Sequence, residues 1–533
     1  MRAEEGFSEE QINILKKYVT NTSKNIFVLK NLPEVIKGAL FSKYSRSPLG
    51  LRELLLKEFL NENQSGESVC ENDLVETQKA QDFYDKILDG YGDDSIGELG
   101  GAHLAIENVS MIAAKAIEDC RIGGSPLEKS TRYICFDQKI NDDYRFYKEP
   151  ILMTSAFKDI YLNTCRNLFD TYARLIPPVT ELIEKNFPQK EGISPGAFKA
   201  ALRAKVLDCI RGILPASTLT NLGVFGNGRF FENLIKKLSC HNLVEMQDVG
   251  KTAFNELTGV IPSFVKRSDN NNKCQMEYSK FIENTKQNLK CLSREYVDDS
   301  VNNASGVSLI NYNPDDLYKV CAALLFDYSE NDLKSIQSMC RNLPKEEILR
   351  IFESVASLRE NRRHKSPRAL ENADFTFEIV ADFGIYRDLQ RHRMLTQERQ
   401  LLSCNLGYYI PHELVGTPMQ KDYVNAMNCA RDAYEMISKE FPEEAQYVVP
   451  MAYNLRWYFK LNLRALQWLC ELRSSAAGHS GYRLVAQNMV KQVCSAIPEF
   501  TNFFKFVDFQ SYDLGRMKQE INREEKIAAR SNV

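Results

Sequence analysis

Paired cysteines, long apolar runs and surplus positive charge are what this 533-residue chain lacks. Its 14 cysteines are scattered, with no CxxC pair and no CxxC-to-histidine spacing. Neither a disulfide framework nor a zinc site is indicated, and most cysteines read as buried, reduced thiols. No uninterrupted apolar stretch approaches the roughly 18 residues of a membrane span. The opening MRAEEGFSEEQINILKKYV is acidic where a secretory signal needs an apolar core. The expectation is a cytoplasmic protein with no membrane partner. A formal charge of −3 gives no bulk basicity for holding a nucleic-acid polymer, so any anionic partner must be met locally.

What is present is a soluble, globular composition, 44% hydrophobic and 26% charged, on a chain too long for one ordinary core. From Lys266 to about Ser305 the sequence turns polar and Asn-rich, which marks a linker with room for one helix. The expected layout is an N-terminal domain over 1–266, a linker over 267–305, a C-terminal domain over 306–510 and a charged tail over 511–533. The tail, RMKQEINREEKIAAR, reads as a solvated or frayed helix.

The two long parts resemble each other, the kind of repeat to be sought before any fold assignment. NIFVLKNLPEVIKGALFSKYS and GVSLINYNPDDLYKVCAALLFDYS each give an apolar strand, an Asn- and Pro-containing helix start and a helix ending in Tyr-Ser. Later, Pro215 and Pro450 each precede an Asn-x-Arg (Asn227-Gly228-Arg229 and Asn462-Leu463-Arg464) by 12 residues, 227 − 215 and 462 − 450. Ordered matches at both ends of each part argue for a tandem duplication. Helical apolar spacing in segments such as YVNAMNCARDAYEMISKEF, with short β-forming stretches such as STRYICFD, gives an α+β class. Helix predominates, and each repeat is expected to pack a small, mostly antiparallel sheet with long helices.

Two segments concentrate chemistry. LQRHRMLTQE sets Arg391, His392 and Arg393 side by side after an apolar run. Such a triplet is either a solvated helix end, favoured by the C-terminal dipole, or a phosphate grip, since paired guanidinium groups bind oxyanions bidentately. In EKSTRY, Glu128, Ser130 and Arg132 alternate, so an extended segment would send all three side chains to one face. That row of acceptor, hydroxyl and guanidinium suits a nucleotide, or it is a polar strand edge with a local ion pair.

With YGDDSIGELGGAHLAIENVS upstream, these segments resemble the Gly-His-x-Ser/Thr-x-x-Glu and Arg-His-Arg-x-x-Ser-x-Asn-Glu-x-Ser-x-Arg-Tyr pattern of flavin-dependent thymidylate synthases, the ThyX family. In the first half Ser95, Glu98, Ser125, Glu128, Ser130, Arg132 and Tyr133 match, while Asp93 replaces the His, Leu127 the Asn, and Asp119-Cys120-Arg121 the Arg-His-Arg. The second half keeps His364, Ser366, Glu371, the Phe375–Phe377 signature, Arg391-His392-Arg393 and Thr396, but has Ser403-Cys404 where Arg-Tyr is expected. Each half lacks what the other keeps. Arg211 holds the family's phosphate-contacting place where the second half has Gln446, and Arg473 its pyrimidine-contacting place where the first half has Leu238. On a helix, Asn462 and Arg473 lie about 1,100° apart, close to three turns, and so share a face about 16 Å apart. AAGHSGYRLVAQNM is similar to the family's His-Ala-Gln-x-Glu segment, although Asn488-Met489 depart from it. His479 and Gln487 are its candidates, a structural histidine beside a glycine-rich turn being the alternative.

The resemblance implies reductive methylation of dUMP to dTMP, with methylenetetrahydrofolate as carbon donor, FAD as hydride carrier and NADPH as reductant. Arg391, His392, Arg393, Ser366, Glu371, His364, Asn462, His479 and Gln487 would face FAD. Glu128, Ser130, Arg132, Arg211 and Arg473 would face dUMP. No metal and no cysteine nucleophile is implied. Family members are homotetramers with sites between subunits, so a tandem chain is expected to form a homodimer equivalent to a pseudo-tetramer. The alternatives are a catalytically silent nucleotide- or flavin-binding protein and a flavoenzyme acting on another nucleotide.

Overall fold

The computed structural model describes residues 7–44, 47–59, 97–298 and 304–531. Asp93 and Ser95 lie outside the described residues. Among the described residues, two small sheets organise the chain. The first holds β1 (Gly101–Ser110), β2 (Gly124–Glu128) and β3 (Leu219–Asn227) in the order β1-β3-β2. The second holds β4 (Gly306–Tyr312), β5 (Asp374–Asp382), β6 (Thr396–Arg399) and β7 (Asn454–Asn462) in the order β4-β5-β7-β6. The β2–β3 pairing and all three pairings of the second sheet are antiparallel. Helix predominates elsewhere, the longest helices being Lys158–Asn186 and Lys273–Tyr296. The α+β class and the tandem arrangement are as the sequence led us to expect.

The strands follow from their alternation. In β5, Phe375, Phe377 and Ile379 are at most 1% exposed and point to one face, the two-residue period of a half-buried strand. β7 buries Leu455, Trp457, Phe459 and Leu461 and leaves Tyr458 and Lys460 outward. β3 and β7 are both nine residues long and carry the same inward–outward pattern. Each ends in an asparagine that starts a helix: the Asn227 side chain accepts from Phe230 N at 2.8 Å and that of Asn462 from Ala465 N at 2.9 Å. The strand-to-helix junctions after β1 and β5 also correspond, with Ser110 Oγ accepting from Ala113 N and Asp382 Oδ1 from Ile385 N. The duplication is thus preserved down to individual caps.

The repeats meet at the two prolines that the sequence aligned. Pro215 and Pro450 form an isolated antiparallel bridge. Around it, Ala216 N donates to Val449 O and Met451 N to Leu214 O, both at 2.9 Å. This reciprocity is that of an isologous two-fold contact, here made within one chain. Tyr147 against Tyr447 and Phe157 against Phe441, with ring centroids 5.2 and 6.0 Å apart, extend the seam.

Compact units do not follow chain order. One comprises Met1–Glu107, Asp119–Glu128 and Asn221–Asp299; the other comprises Asn108–Glu118, Lys129–Thr220 and Ser300–Val533. The first half of the sequence therefore contributes to both. Three local expectations need correction. NIFVLK forms no strand, Leu29 making only an isolated bridge with Val19. STRYICFD forms no strand: β2 stops at Glu128, and Ser130–Tyr133 is a turn in which Ser130 Oγ accepts from Arg132 N at 3.2 Å and Ser130 O from Tyr133 N at 3.4 Å. A serine hydroxyl that bonds its own backbone two residues on favours a turn over an extended chain, so Glu128, Ser130 and Arg132 do not share a strand face. The tail is a helix, Met517–Ser531, yet it is docked as well as solvated, with Glu520 buried and Ser194 Oγ bonded to Glu524.

Candidate functional site

The site lies in the larger compact unit and is built around two carboxylates. Asp208, near the end of helix Pro195–Ile210, takes Arg132 in a bidentate grip, Nε to Oδ1 and Nη2 to Oδ2, both at 2.7 Å. Burial alone would push the Asp208 carboxyl up, but the facing Arg132 holds it below its ordinary value. Burial likewise works against the Arg132 charge, and Asp208 raises its pKa all the same. The third guanidinium nitrogen of Arg132 reaches Tyr482 Oη at 3.3 Å and Ala477 O at 3.4 Å.

Asp388 follows the same logic. It is the penultimate residue of helix Phe383–Leu389, and its Oδ2 accepts from both terminal nitrogens of Arg211 at 3.3 and 3.4 Å. These contacts are longer than those of Arg132 and fall on one oxygen. Burial would raise the Asp388 pKa; the fields of Arg211, Arg391, Arg132 and Arg473 hold it well below the carboxylate range. Four arginines therefore outnumber the two low-pKa carboxylates among them, a balance that suits an added anion.

Aromatic and imidazole rings complete the cluster. The guanidinium groups of Arg132 and Arg473 stand 5.9 and 5.6 Å from the Tyr482 ring centroid. Arg473 Nε donates to His392 Nε2 at 2.9 Å. Burial, with Arg473 beside it, pushes the His392 pKa well below 6.5, so the ring is neutral and acts as an acceptor. His479 starts helix Ser480–Ala496, its Nδ1 accepting from Gly481 N at 3.1 Å. Burial, then Arg211, lower its pKa to about 4. Asp382 goes the other way, raised by burial to about 6 despite the opposing field of Arg211.

Of the sequence-selected residues, Arg132, Arg211, Arg473, Arg391, His392 and His479 belong to this cluster, Arg391 through its field on Asp388. Arg393 is exposed in the same turn, and Ser130 is half-buried beside Arg132. Glu128 is the last residue of β2 in the smaller compact unit. A second group centres on Arg464, which donates to Ser366 O at 2.8 Å and Glu371 Oε1 at 2.7 Å. His364 is exposed in a local turn with Asn361. Asn462 is spent on its helix cap, and Gln487 Nε2 donates to Asp508 O at 2.8 Å. Sequence reasoning missed Asp208, Asp388 and Tyr482. A signal was available: an aspartate stands three residues before Arg211 and again three before Arg391, on one helical face.

A flavin diphosphate needs accessible cations and hydroxyl donors. Exposed Arg391 and Arg393 fit that need, whereas the Ser366 Oγ, a hydroxyl with no hydrogen-bond partner among the described residues, is buried. The committed Asn462 and Gln487 side chains do not fit it. Among the described residues no group of three or more His, Cys, Asp or Glu could hold a metal ion, and no helix is long and apolar enough to cross a membrane. The described cysteines are all free, with Cys274 and Cys291 exposed.

The family model described as thymidylate synthase complementing protein matches residues 54–263 and 308–499. A UPF0159 protein of Chlamydia pneumoniae is 54% identical over 525 residues, 98% of this chain and 99% of that one. A flavin-dependent thymidylate synthase of Clostridium tetani is 25% identical over 227 residues, which is 38% of this chain and 85% of the relative. Among solved structures, a UMP/dUMP methylase PolB from Streptomyces cacaoi, bound with 5-Br dUMP, is 20% identical and covers 38% of this chain and 95% of that one at a TM-score of 0.29. That likeness is too loose to inform fold or ligand here.

Proposed function

Because the chain belongs to the family of thymidylate synthase complementing proteins, with two segments each matching the family model, we propose that it is a flavin-dependent thymidylate synthase-like enzyme. It methylates dUMP reductively to dTMP, using methylenetetrahydrofolate and NADPH through FAD. The observation that carries this reading is the convergence of Arg132, Arg211 and Arg473, drawn from both halves of the chain, on one cluster with a neutral His392.

In this reading Arg132 and Arg211 hold the nucleotide phosphate, with Ser130 as a further nucleotide contact. Buried guanidinium groups in a low-dielectric site grip an oxyanion more strongly than exposed ones. Arg473 faces the pyrimidine. Its Nε is anchored on His392, so the plane of the guanidinium is fixed and its other N–H groups are pre-aimed. Arg391 and Arg393 hold the flavin diphosphate, and the flavin, when bound, supplies the hydride chemistry. Glu371 and His364 position the segment around Ser366 from their contacts with Arg464 and Asn361. The chain works in the cytoplasm as a homodimer.

A second reading, a silent nucleotide-binding member of the family, is favoured by one observation: Asp208 and Asp388 already neutralise two of the site arginines. One experiment separates the two. Purified protein should be yellow and should oxidise NADPH with conversion of dUMP and methylenetetrahydrofolate to dTMP. A colourless protein that binds dUMP but forms no dTMP after incubation with FAD would leave only the silent reading.

A further inference from the structure

Residues Asp508–Arg516 lie beyond both segments matched by the family model, and they run across the Arg132 end of the site. Four anchors tie this strap down. Ser474 Oγ accepts from Asp508 N at 3.0 Å, Gln487 Nε2 donates to Asp508 O at 2.8 Å, and Arg483 Nη2 donates to Gln510 O at 2.8 Å. The fourth is a backbone fit: a Cβ on Gly515 would come within 2.0 Å of Ala476 O, so only glycine lets the strap lie this close. Gln487, which resembles a flavin ligand in sequence, is thus a strap anchor.

The strap delivers Arg516 to a cavity that Arg132, Lys205, Asp208, Arg483 and Asp513 also line. Arg516 lies over the Tyr133 ring, 4.2 Å from its centroid, and donates Nη2 to Glu520 at 2.9 Å. Its Nε and Nη1 are buried and have no hydrogen-bond partner among the described residues. Two orphaned, buried donors on a half-buried cation are expensive, and a ligand that satisfied them would remove that cost.

We infer that Arg516 is a further anion-binding residue of this site, closing on a phosphate-type oxyanion held in the cavity beside Arg132. The lining offers four cations, Arg132, Lys205, Arg483 and Arg516, beside the carboxylates of Asp208 and Asp513; Lys205 is also paired with Glu413, Arg483 with Asp508 and Arg516 with Glu520. Because the orphaned nitrogens have no contact with solvent, the anion reaches them by a rotation of the Arg516 side chain away from Tyr133. The strap makes the tail part of the binding site. This inference rests on the nucleotide reading above and extends it to a residue that the single-unit family pattern does not contain.

The test uses the full-length protein, titrated calorimetrically with inorganic phosphate and separately with dUMP. Arg516→Gln should weaken both about tenfold or more, and Arg516→Lys should recover part of the loss. Phosphate should also slow amide hydrogen exchange over residues 512–517 of the unmodified chain. If dUMP binds equally well to Arg516→Gln and exchange over 512–517 is unchanged, the inference is overturned and the thymidylate reading stands. If phosphate binds in an Arg516-dependent way but no dTMP forms, the inference stands and that reading falls. If neither probe binds the unmodified chain, the inference is overturned. Should Arg516→Gln fail to fold, the exchange measurement on the unmodified chain decides alone.

Discussion

Arg211 and Asp388 come from different repeats and meet inside the protein, with both terminal guanidinium nitrogens on one carboxylate oxygen at 3.3 and 3.4 Å. Neither repeat alone contains the pair. On the proposed reading Asp388 stands where a phosphate would compete for Arg211, its contacts long and its carboxylate set in the field of four arginines. Removing its charge while keeping its shape should therefore favour an incoming phosphate. Asp388→Asn is expected to tighten dUMP binding about tenfold or more, since like-charge juxtaposition at a binding site is costly. Calorimetric titration measures this directly, and unchanged or weaker binding would show that Asp388 holds Arg211 in place without competing for it.

Arg132→Ala should act in the opposite direction and for two reasons. On the proposed reading it removes a nucleotide contact, and it leaves the largely buried Asp208 without its bidentate partner. Breaking a buried pair by removing one member costs about 3–5 kcal/mol in stability. The double change Arg132→Leu with Asp208→Leu removes that penalty. It should melt close to the unmodified protein while still failing to bind dUMP; restored binding would exclude Arg132 from the nucleotide site.

Asn462 separates a cap from a flavin ligand. Its side chain accepts from Ala465 N and starts helix Leu463–Arg473, as Asn227 does for Gly228–Ser239. Asn462→Ala should cost about 1 kcal/mol of stability, and Asn462→Asp, another good cap, almost nothing. Flavin retention, read from the visible spectrum, should survive both. Loss of colour in Asn462→Asp with an unchanged melting temperature would return Asn462 to the flavin.

The two-part plan of the chain was legible in its sequence because duplication left its marks on residues with fixed local duties. Pro215 and Pro450 had to stay at the seam, and Asn227 and Asn462 had to stay at helix starts. Arg132, Arg211 and Arg473 were legible as a set because their losses in the two halves are complementary. EKSTRY was misjudged, since alternation looks the same in a strand and in a turn, and the deciding bond, Ser130 Oγ to Arg132 N, is local. Asp208 and Asp388 went unnoticed because an acidic residue on a helix is usually solvent-facing; only the fold brings each to an arginine distant in sequence. The strap was invisible for a related reason. Nothing in a charged tail announces that Gly515 must fit against Ala476.

Acid stability offers a test of the site's electrostatics in which two groups oppose each other. Burial, with Arg211, lowers the His479 pKa to about 4 from 6.5. The unfolded chain therefore binds the extra proton first, and the stability His479 contributes is present above 6.5 and lost as pH falls from there to about 4. Burial raises Asp382 from 3.8 to about 6, so its contribution has the opposite sign, present below 3.8 and lost as pH rises to about 6. Between about 4 and 6 the two slopes cancel. Asp382→Asn keeps the helix cap, since asparagine caps as well as aspartate, and removes only the compensating titration. Relative to the unmodified protein, this variant should lose stability more steeply on acidification from pH 6 towards 4, by at most about 1.4 kcal/mol per pH unit. Denaturant melts at intervals across that range measure the difference, and parallel curves for the two proteins would mean that Asp382 and His479 do not titrate as their buried positions beside Arg211 require.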